Sequence, residues 1–593
     1  MQLADPDRHH FIVECRLEEP ARRQSFSLPS WIPGSYLLRE FARHIVAIEA
    51  RDDRGPVAIE QTGKATWVAE AAAGPLVVQA TIHAFDLSVR GAYFDRHRAF
   101  FNGTSLFLLP EGRTEEPVEL MLIPPAHAKE WRVATAMAAA DVDESGFGRY
   151  RAADYDELLD HPVEIGDYRE VEFTAGGVPH RFVVAGNFDA DLERVATDLA
   201  QLCATQIDFF GGKAPFPGYT FLGLATGDGY GGLEHRASSS LIFRRSDLPK
   251  AGVADVSRDY QRFLGLASHE YFHSWHIKRS KPAAFMPYPL DRRAHTRLLW
   301  VFEGITSYYQ ERFLLRSGLL GAEAHLRRIC EVLTRVYRVP GRHRQTLEQS
   351  SFNAWDRLYK PDPNSVNRDV SYYSKGALTA LALDLTLRSA EPQRATLDDV
   401  VLELWRRFGS QDVGLPEAGF EDLVAELAGD EMRAFFARAV RDTADLDLGA
   451  LLARFGLKLE FRQAENPRDT GGTPPKLESP RLSLGAGFEP HGAGIRLTAV
   501  YDGQPAEAAG LAPGDIIVAL DRIGVTSDKI ADRLARYDDG DEIVVSYFRG
   551  DELMDTRLRI AEAPRDTCYL LFDADAEPAA TARRAAWLGE SPD

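Results

Sequence analysis

The run His269-Glu270-Tyr271-Phe272-His273 carries the most chemistry in this sequence. On an α-helix, positions i and i+4 share a face, so His269 and His273 can present two imidazoles to one ion. Glu270 then projects beside them, where it can act on metal-bound water. The bland alternative is a helix whose histidines pack or cap, and a third ligand decides between the two.

Catalytic zinc usually takes three protein ligands and leaves one position for water. Two candidates stand out. His276 is three residues beyond His273 on roughly the same face, but one helix cannot easily bend a third imidazole onto the same ion. Metzincins place their third histidine six residues after the second, where this chain has Arg279. Glu303 lies in Trp300-Val301-Phe302-Glu303-Gly304-Ile305. An acid among such apolar neighbours is costly unless it is paired or metal-bound.

Two further segments hold polar groups in suggestive places. Tyr230-Gly231-Gly232-Leu233-Glu234-His235 reads on its own as a glycine turn between strands. Ser371-Tyr372-Tyr373-Ser374-Lys375-Gly376 offers two adjacent phenols before a helical run, a placement more common for packing than for catalysis.

The elements around these groups follow from period and punctuation. Residues 8 to 180 show short alternating runs (Phe11 to Cys15, Leu76 to Ala84, Glu119 to Ile123) between Pro, Gly and Asp clusters, which predicts a β-rich domain. A helical repeat follows at Leu192, Val195, Leu199 and Leu202, with Asp189 as its expected cap. From Tyr260 to about Phe455 helical signals dominate, including Phe263 to His276 and Leu298 to Leu315. Glu465 to Glu478, rich in Pro and Gly, reads as an exposed linker. Beyond it, short strand-like runs fit a compact β module.

Composition narrows the function classes. The 593 residues are too many for one core, so two to four domains are expected. A formal net charge of -20 argues against nucleic-acid binding, which relies on Lys and Arg displacing counterions. Four scattered cysteines suggest neither a disulfide framework nor a metal knuckle. No stretch approaches a membrane span, and the N-terminus lacks a basic start with an apolar core. A cytoplasmic location is expected, or a periplasmic or secreted one if a signal peptide has been removed.

Several segments together resemble the glycyl aminopeptidase family of gluzincin zinc peptidases. They are His269 to Trp275 with Lys278-Arg279-Ser280-Lys281-Pro282, then Phe302-Glu303-Gly304, Tyr230 to His235, and Pro29-Ser30-Trp31-Ile32-Pro33-Gly34-Ser35-Tyr36. The resemblance implies Glu303 as third ligand, although the twenty-nine residues between His273 and Glu303 exceed the usual gluzincin interval. It implies Glu234 as the anchor for a substrate's free amine, with Gly231 and Gly232 permitting close approach of a peptide backbone. It also implies Tyr373 as a donor to the transition-state oxygen. The C-terminal module resembles a PDZ domain, with Leu484-Gly485-Ala486-Gly487-Phe488 as its carboxylate-binding loop.

The expected architecture is therefore multidomain α+β. A β-rich N-terminal domain (1–180) precedes a thermolysin-like, mainly helical zinc peptidase domain (181–462), a linker (463–479), a PDZ-like β module (480–565) and a tail (566–593). The expected activity is removal of an N-terminal residue, glycine or alanine by resemblance, from peptides, with one Zn²⁺ per chain. Catalytic Glu270 and Tyr373, substrate-binding Glu234, Gly231 and Gly232, and the ligands His269, His273 and Glu303 form the expected site. Expected partners are peptides with a free N-terminus and a peptide C-terminus at the PDZ-like module. An endopeptidase of the same fold, or a peptide-binding protein with a vestigial zinc site, are the alternatives.

Overall fold

The computed structural model describes residues 1–71, 73–476 and 481–590. The end of the expected linker (477–479), the first residue of the expected PDZ-like segment (480) and the end of the expected tail (591–593) lie outside the described residues. The chain divides into two compact units, one of residues 1–294, 309–320 and 404–415, the other of residues 295–308, 321–403 and 416–593.

The first unit begins with antiparallel sheets. Five strands run in the order Gln2–Asp5, His10–Leu17, Leu76–His83, Ile45–Asp52 and Gly55–Val57. Alternation buries Phe11 and Val13 with Ile82, Phe94 and Phe101 in one core. A four-stranded sheet of Leu109–Pro110, Arg23–Ser27, Thr66–Glu70 and Ile59–Gly63 buries Phe26 and Trp67 against Leu76 and Val78. Leu233, the residue before Glu234, is fully buried in that second core. Packing of the N-terminal region thus fixes one part of the candidate site.

A mixed sheet follows, ordered Arg169–Ala175, Val178–Ala185, Tyr219–Thr226, Ser238–Arg244, Gly231–Glu234. Val178–Ala185, Tyr219–Thr226 and Ser238–Arg244 are parallel, and Gly231–Glu234 closes one edge antiparallel to Ser238–Arg244. Helix Leu192–Phe209 makes the crossover that parallel pairing requires. Its cap is Asp191, whose carboxylate accepts from the Arg194 amide at 3.1 Å, rather than the expected Asp189. The expected boundary at residue 180 cuts through a strand paired on both sides, so this sheet's chain segment starts at Arg169.

The helix carrying His269 spans Arg258–Phe272, capped by Ser257. It begins five residues before the run Phe263 to His276 and ends four residues before it does, because His273 forms its C-cap and Ile277 adopts a left-handed φ of 106°.

A π-helical turn in the second unit, Trp300–Gly304, runs directly into helix Ile305–Arg316, whose residues from Tyr309 onward belong to the first unit. Helices Ala322–Tyr337 and Ser374–Arg388 belong to the same body, the latter burying almost every side chain. The C-terminal module orders its main strands Ala486–His491, Gly494–Val500, Ile516–Leu520, Glu542–Arg549 and Glu552–Arg559 around Ile495, Leu497, Ile517 and Val545.

One expectation about its flanks is overturned and another is refined. The described part of 566–593 is no tail, since Thr567–Phe572 pairs antiparallel with Leu457–Arg462 along its length. Helix Pro578–Leu588 buries Trp587, whose indole N–H donates to the Tyr308 hydroxyl at 3.2 Å. The Pro/Gly segment is mostly exposed, as expected, but its first part is tied to the body rather than loose. Arg462 pairs with Asp469 at 2.5 Å, and the Gly472 amide donates to the Cys568 carbonyl at 2.8 Å. The glycines that read as flexible supply left-handed backbone, φ 83° at both Gly471 and Gly472, where the chain crosses closely over Thr334 and Arg327.

All four cysteines are free thiols, three of them buried and Cys15 half-buried. Among the described residues no helix is long and apolar enough to cross a membrane.

Candidate active site

His269 and His273 are each held through their second ring nitrogen. His269 Nδ1 donates to Gln310 Oε1 at 2.8 Å, and His273 Nδ1 donates to the His276 carbonyl at 2.8 Å. Both acceptors can only accept, Gln310 being oriented by its own Nε2 donating to Glu311 at 2.8 Å. The protons therefore sit on Nδ1, which makes Nε2 the nitrogen of each ring suited to a metal. Gln310 is tied to the helix a second time, because Ser268 Oγ donates to its carbonyl. Tyr271, between the histidines, is locked in an aromatic cluster with Tyr219, Phe216 and Trp275, and its hydroxyl meets His180 Nε2 at 2.9 Å. Burial pushes His180 down to about 4, so it is a neutral structural partner near pH 7.

Glu303 sits in the π-helical turn, 2% exposed. A carboxylate oxygen of Glu303 and a ring nitrogen from each of His269 and His273 lie within 4.8 Å of one another. His276 belongs to no metal-competent group among the described residues; it lies beyond the helix end and contributes its carbonyl to His273 instead.

The turn is set by a glycine contact. A Cβ on Gly304 would lie 2.6 Å from Gly376 Cα and 3.0 Å from the Tyr372 carbonyl, so only glycine lets the two segments cross this closely. That crossing keeps the Tyr372-Tyr373 segment beside the Glu303 turn. Tyr372 is fully buried, whereas Tyr373 is partly exposed at the start of Ser374–Arg388. Both hydroxyls meet that of Tyr359, at 3.1 Å for Tyr372 and 2.9 Å for Tyr373.

Glu234 ends the edge strand Gly231–Glu234 and is 4% exposed. Its carboxylate, that of Glu270 and a ring nitrogen of His273 form a second cluster within 4.8 Å. Two glycines make room for it. A Cβ on Gly232 would fall 2.0 Å from a Glu270 oxygen, and one on Gly34, at φ 92°, would fall 2.6 Å from both oxygens of Glu234. Gly34 belongs to a loop held by the Trp31 indole donating to the Pro289 carbonyl at 2.8 Å. Its role was legible only as part of a motif, since the contact joins residues two hundred apart in sequence.

Beneath this strand is a buried charge network. Asp160 pairs with Lys278 at 2.7 Å and accepts from the Arg236 amide at 2.8 Å. Burial alone would raise the Asp160 carboxyl, but Lys278, Arg236 and His235 together hold it well below the usual carboxylate range. Arg279, the metzincin-ligand position, instead donates to the carbonyls of Arg236, Ser274 and Pro215.

In the C-terminal module, Leu484 is buried and its carbonyl accepts from Ala506 at 2.8 Å, while Gly485 turns at φ 73°. Ala486–His491, which continues this loop, is the edge strand of its sheet.

A metal-competent helix, a glycine-rich edge strand and an appended β module together define a peptidase with a peptide-binding domain. Comparison with known proteins gives the family. Residues 1–167 match the Peptidase M61 N-terminal domain, residues 262–379 the M61 glycyl aminopeptidase and residues 483–560 the PDZ domain. A solved structure from Idiomarina loihiensis, described as an aminopeptidase N family protein, is 37% identical over 100% of this chain and 99% of its own, with a TM-score of 0.95. The chain belongs to the M61 glycyl aminopeptidase family. More distant are an M1 zinc metallopeptidase from Deinococcus radiodurans (13% identity, 75% and 93% coverage, TM-score 0.48) and Legionella pneumophila aminopeptidase A (13%, 72% and 47%, 0.46), too remote to bear on the site. A search of curated proteins found no match.

Proposed function

We propose that this peptidase is a zinc-dependent aminopeptidase that removes an N-terminal residue, glycine or alanine, from peptides. The observation that carries the reading is Glu234. Its Oε1 is buried with no hydrogen-bond partner among the described residues, and it stands close to a second buried carboxylate, Glu270. Two carboxylates with oxygens within 4.8 Å of one another repel by about 3 kcal/mol or more at an effective dielectric constant of about 20, so a cation between them is favoured. A peptide's terminal ammonium supplies that charge with three N–H donors, while the edge strand Gly231–Glu234 offers backbone pairing to the residues behind it.

The donor set fits zinc. Two imidazoles and one buried carboxylate within reach of a common point are a catalytic zinc set, and the Nδ1 bonds to Gln310 and His276 are the outer contacts such ligands require. Bound there, zinc would supply Lewis-acid chemistry, polarising a carbonyl and acidifying water. Glu270 takes a proton from the attacking water and delivers it to the leaving amine. Glu234 holds the substrate's ammonium and so sets the register at one residue from the chain end. Tyr373 donates its hydroxyl to the developing oxyanion. The preference for glycine or alanine rests on the family to which the chain belongs.

Comparing free and N-acetylated glycyl and alanyl peptides tests the reading. The acetyl group removes the ammonium, and turnover should fall to background; equal rates would make the enzyme an endopeptidase.

A further inference from the structure

The pair of carboxylates that would hold the ammonium has a second consequence. Glu234 and Glu270 are 4% and 5% exposed, and each presents an oxygen within 4.8 Å of the other and of a His273 ring nitrogen. One oxygen, Glu234 Oε1, is buried and unpartnered among the described residues. Gly232 and Gly34 leave no room there for anything larger than a hydrogen atom on their own backbone, so the cluster is closed on those sides.

We propose that Glu234 and Glu270 form a second, weaker divalent-cation site, and that excess Zn²⁺ bound there competes with the substrate's terminal ammonium. The inference rests on the reading of Glu234 as the ammonium anchor. His273 commits Nδ1 to the His276 carbonyl, so a single nitrogen, Nε2, serves both clusters and cannot ligate two ions at once. With the first ion on His269, His273 and Glu303, the second is held by the two carboxylates and water. A small, oxygen-only donor set beside another dication binds less tightly than the first site, and divalent zinc outcompetes manganese for it. The second ion and the ammonium meet the same oxygens, so occupation by one excludes the other.

Equilibrium dialysis of the zinc-loaded protein against rising Zn²⁺, with kinetics on a free-amine glycyl peptide at each concentration, tests this. The wild type should take up a second equivalent per chain while KM rises and kcat stays constant. Glu234→Gln should keep the first equivalent and lose the second. Glu234→Asp, which keeps the charge on a shorter arm, should shift the second binding midpoint upward without abolishing it, and serves if the Gln variant fails to fold. Saturation of the wild type at one equivalent, or a second equivalent that survives in Glu234→Gln, would overturn the proposal. The aminopeptidase reading stands or falls separately: one-equivalent saturation with turnover still dependent on a free amine defeats only the second site, whereas equal cleavage of N-acetylated peptides defeats the ammonium anchor whatever the zinc stoichiometry.

Discussion

Nδ1 of His269 lies 2.8 Å from Oε1 of Gln310, seven residues beyond Glu303 on one continuous helical run. Residues i and i+7 share a helix face, so the segment that supplies the proposed third ligand also fixes the tautomer of the first. Gln310→Leu should therefore lower zinc affinity by roughly 10- to 100-fold, the usual cost of losing such an outer contact. Zinc retained against a competing chelator measures it.

Gly34 faces Glu234 with φ 92° and no room for a methyl group. Gly34→Ala strains the backbone and pushes on the carboxylate. KM for free-amine peptides should rise roughly tenfold, equivalent to about 1.4 kcal/mol of ammonium binding, with kcat less affected. Steady-state kinetics on a glycyl peptide provide the check, and an unchanged KM would separate the loop from the amine site.

At the Gly304–Gly376 crossing a methyl on either residue meets backbone at 2.6 to 2.8 Å. Overpacking of this kind typically costs about 1–3 kcal/mol. Gly304→Ala should lower Tm by several degrees and also depress turnover, because the same contact sets the Glu303 turn against the Tyr372-Tyr373 segment. Thermal unfolding followed alongside kinetics distinguishes the two effects.

How far the sequence could foresee this site depends on the range of each contact. His269, Glu270 and His273 were legible because a helix converts local spacing into a shared face. Glu303 was legible from an acid in an apolar run, and the structure adds the donor cluster. Gln310 was within reach, since its i+7 relation to Glu303 is local, but an amide in a helix carries no signal of its own. Gly34 and Gly376 were out of reach as contacts, because each acts by letting a distant segment approach. The C-terminal tail failed, and the tethering of the exposed linker was missed, for the same reason: local composition does not report tertiary contacts such as the Arg462–Asp469 pair and the strand pairing of Thr567–Phe572.

Asp160 links the site to pH. Its carboxyl is held below its ordinary value of 3.8 in the folded chain, so its contribution is full above that value and is lost as pH falls through the folded value. Asp160→Asn leaves the buried Lys278 without its carboxylate, whereas the partly exposed Arg236 keeps its pair with Asp156; stranding the one buried charge costs about 3–5 kcal/mol. The difference in stability between wild type and variant should be constant near neutrality and shrink below about pH 4. Urea unfolding at pH 7 and at pH 3 measures it; an equal gap at both would show that the pairing is not electrostatic.

The central claim is that Glu270 moves the proton while His269, His273 and Glu303 hold the metal. Zinc content and hydrolysis of a free-amine glycyl peptide, measured together on wild type and Glu270→Gln, test it most directly. The variant should retain its zinc and lose turnover by about 10²- to 10⁴-fold. A variant that keeps both zinc and full activity would contradict the account.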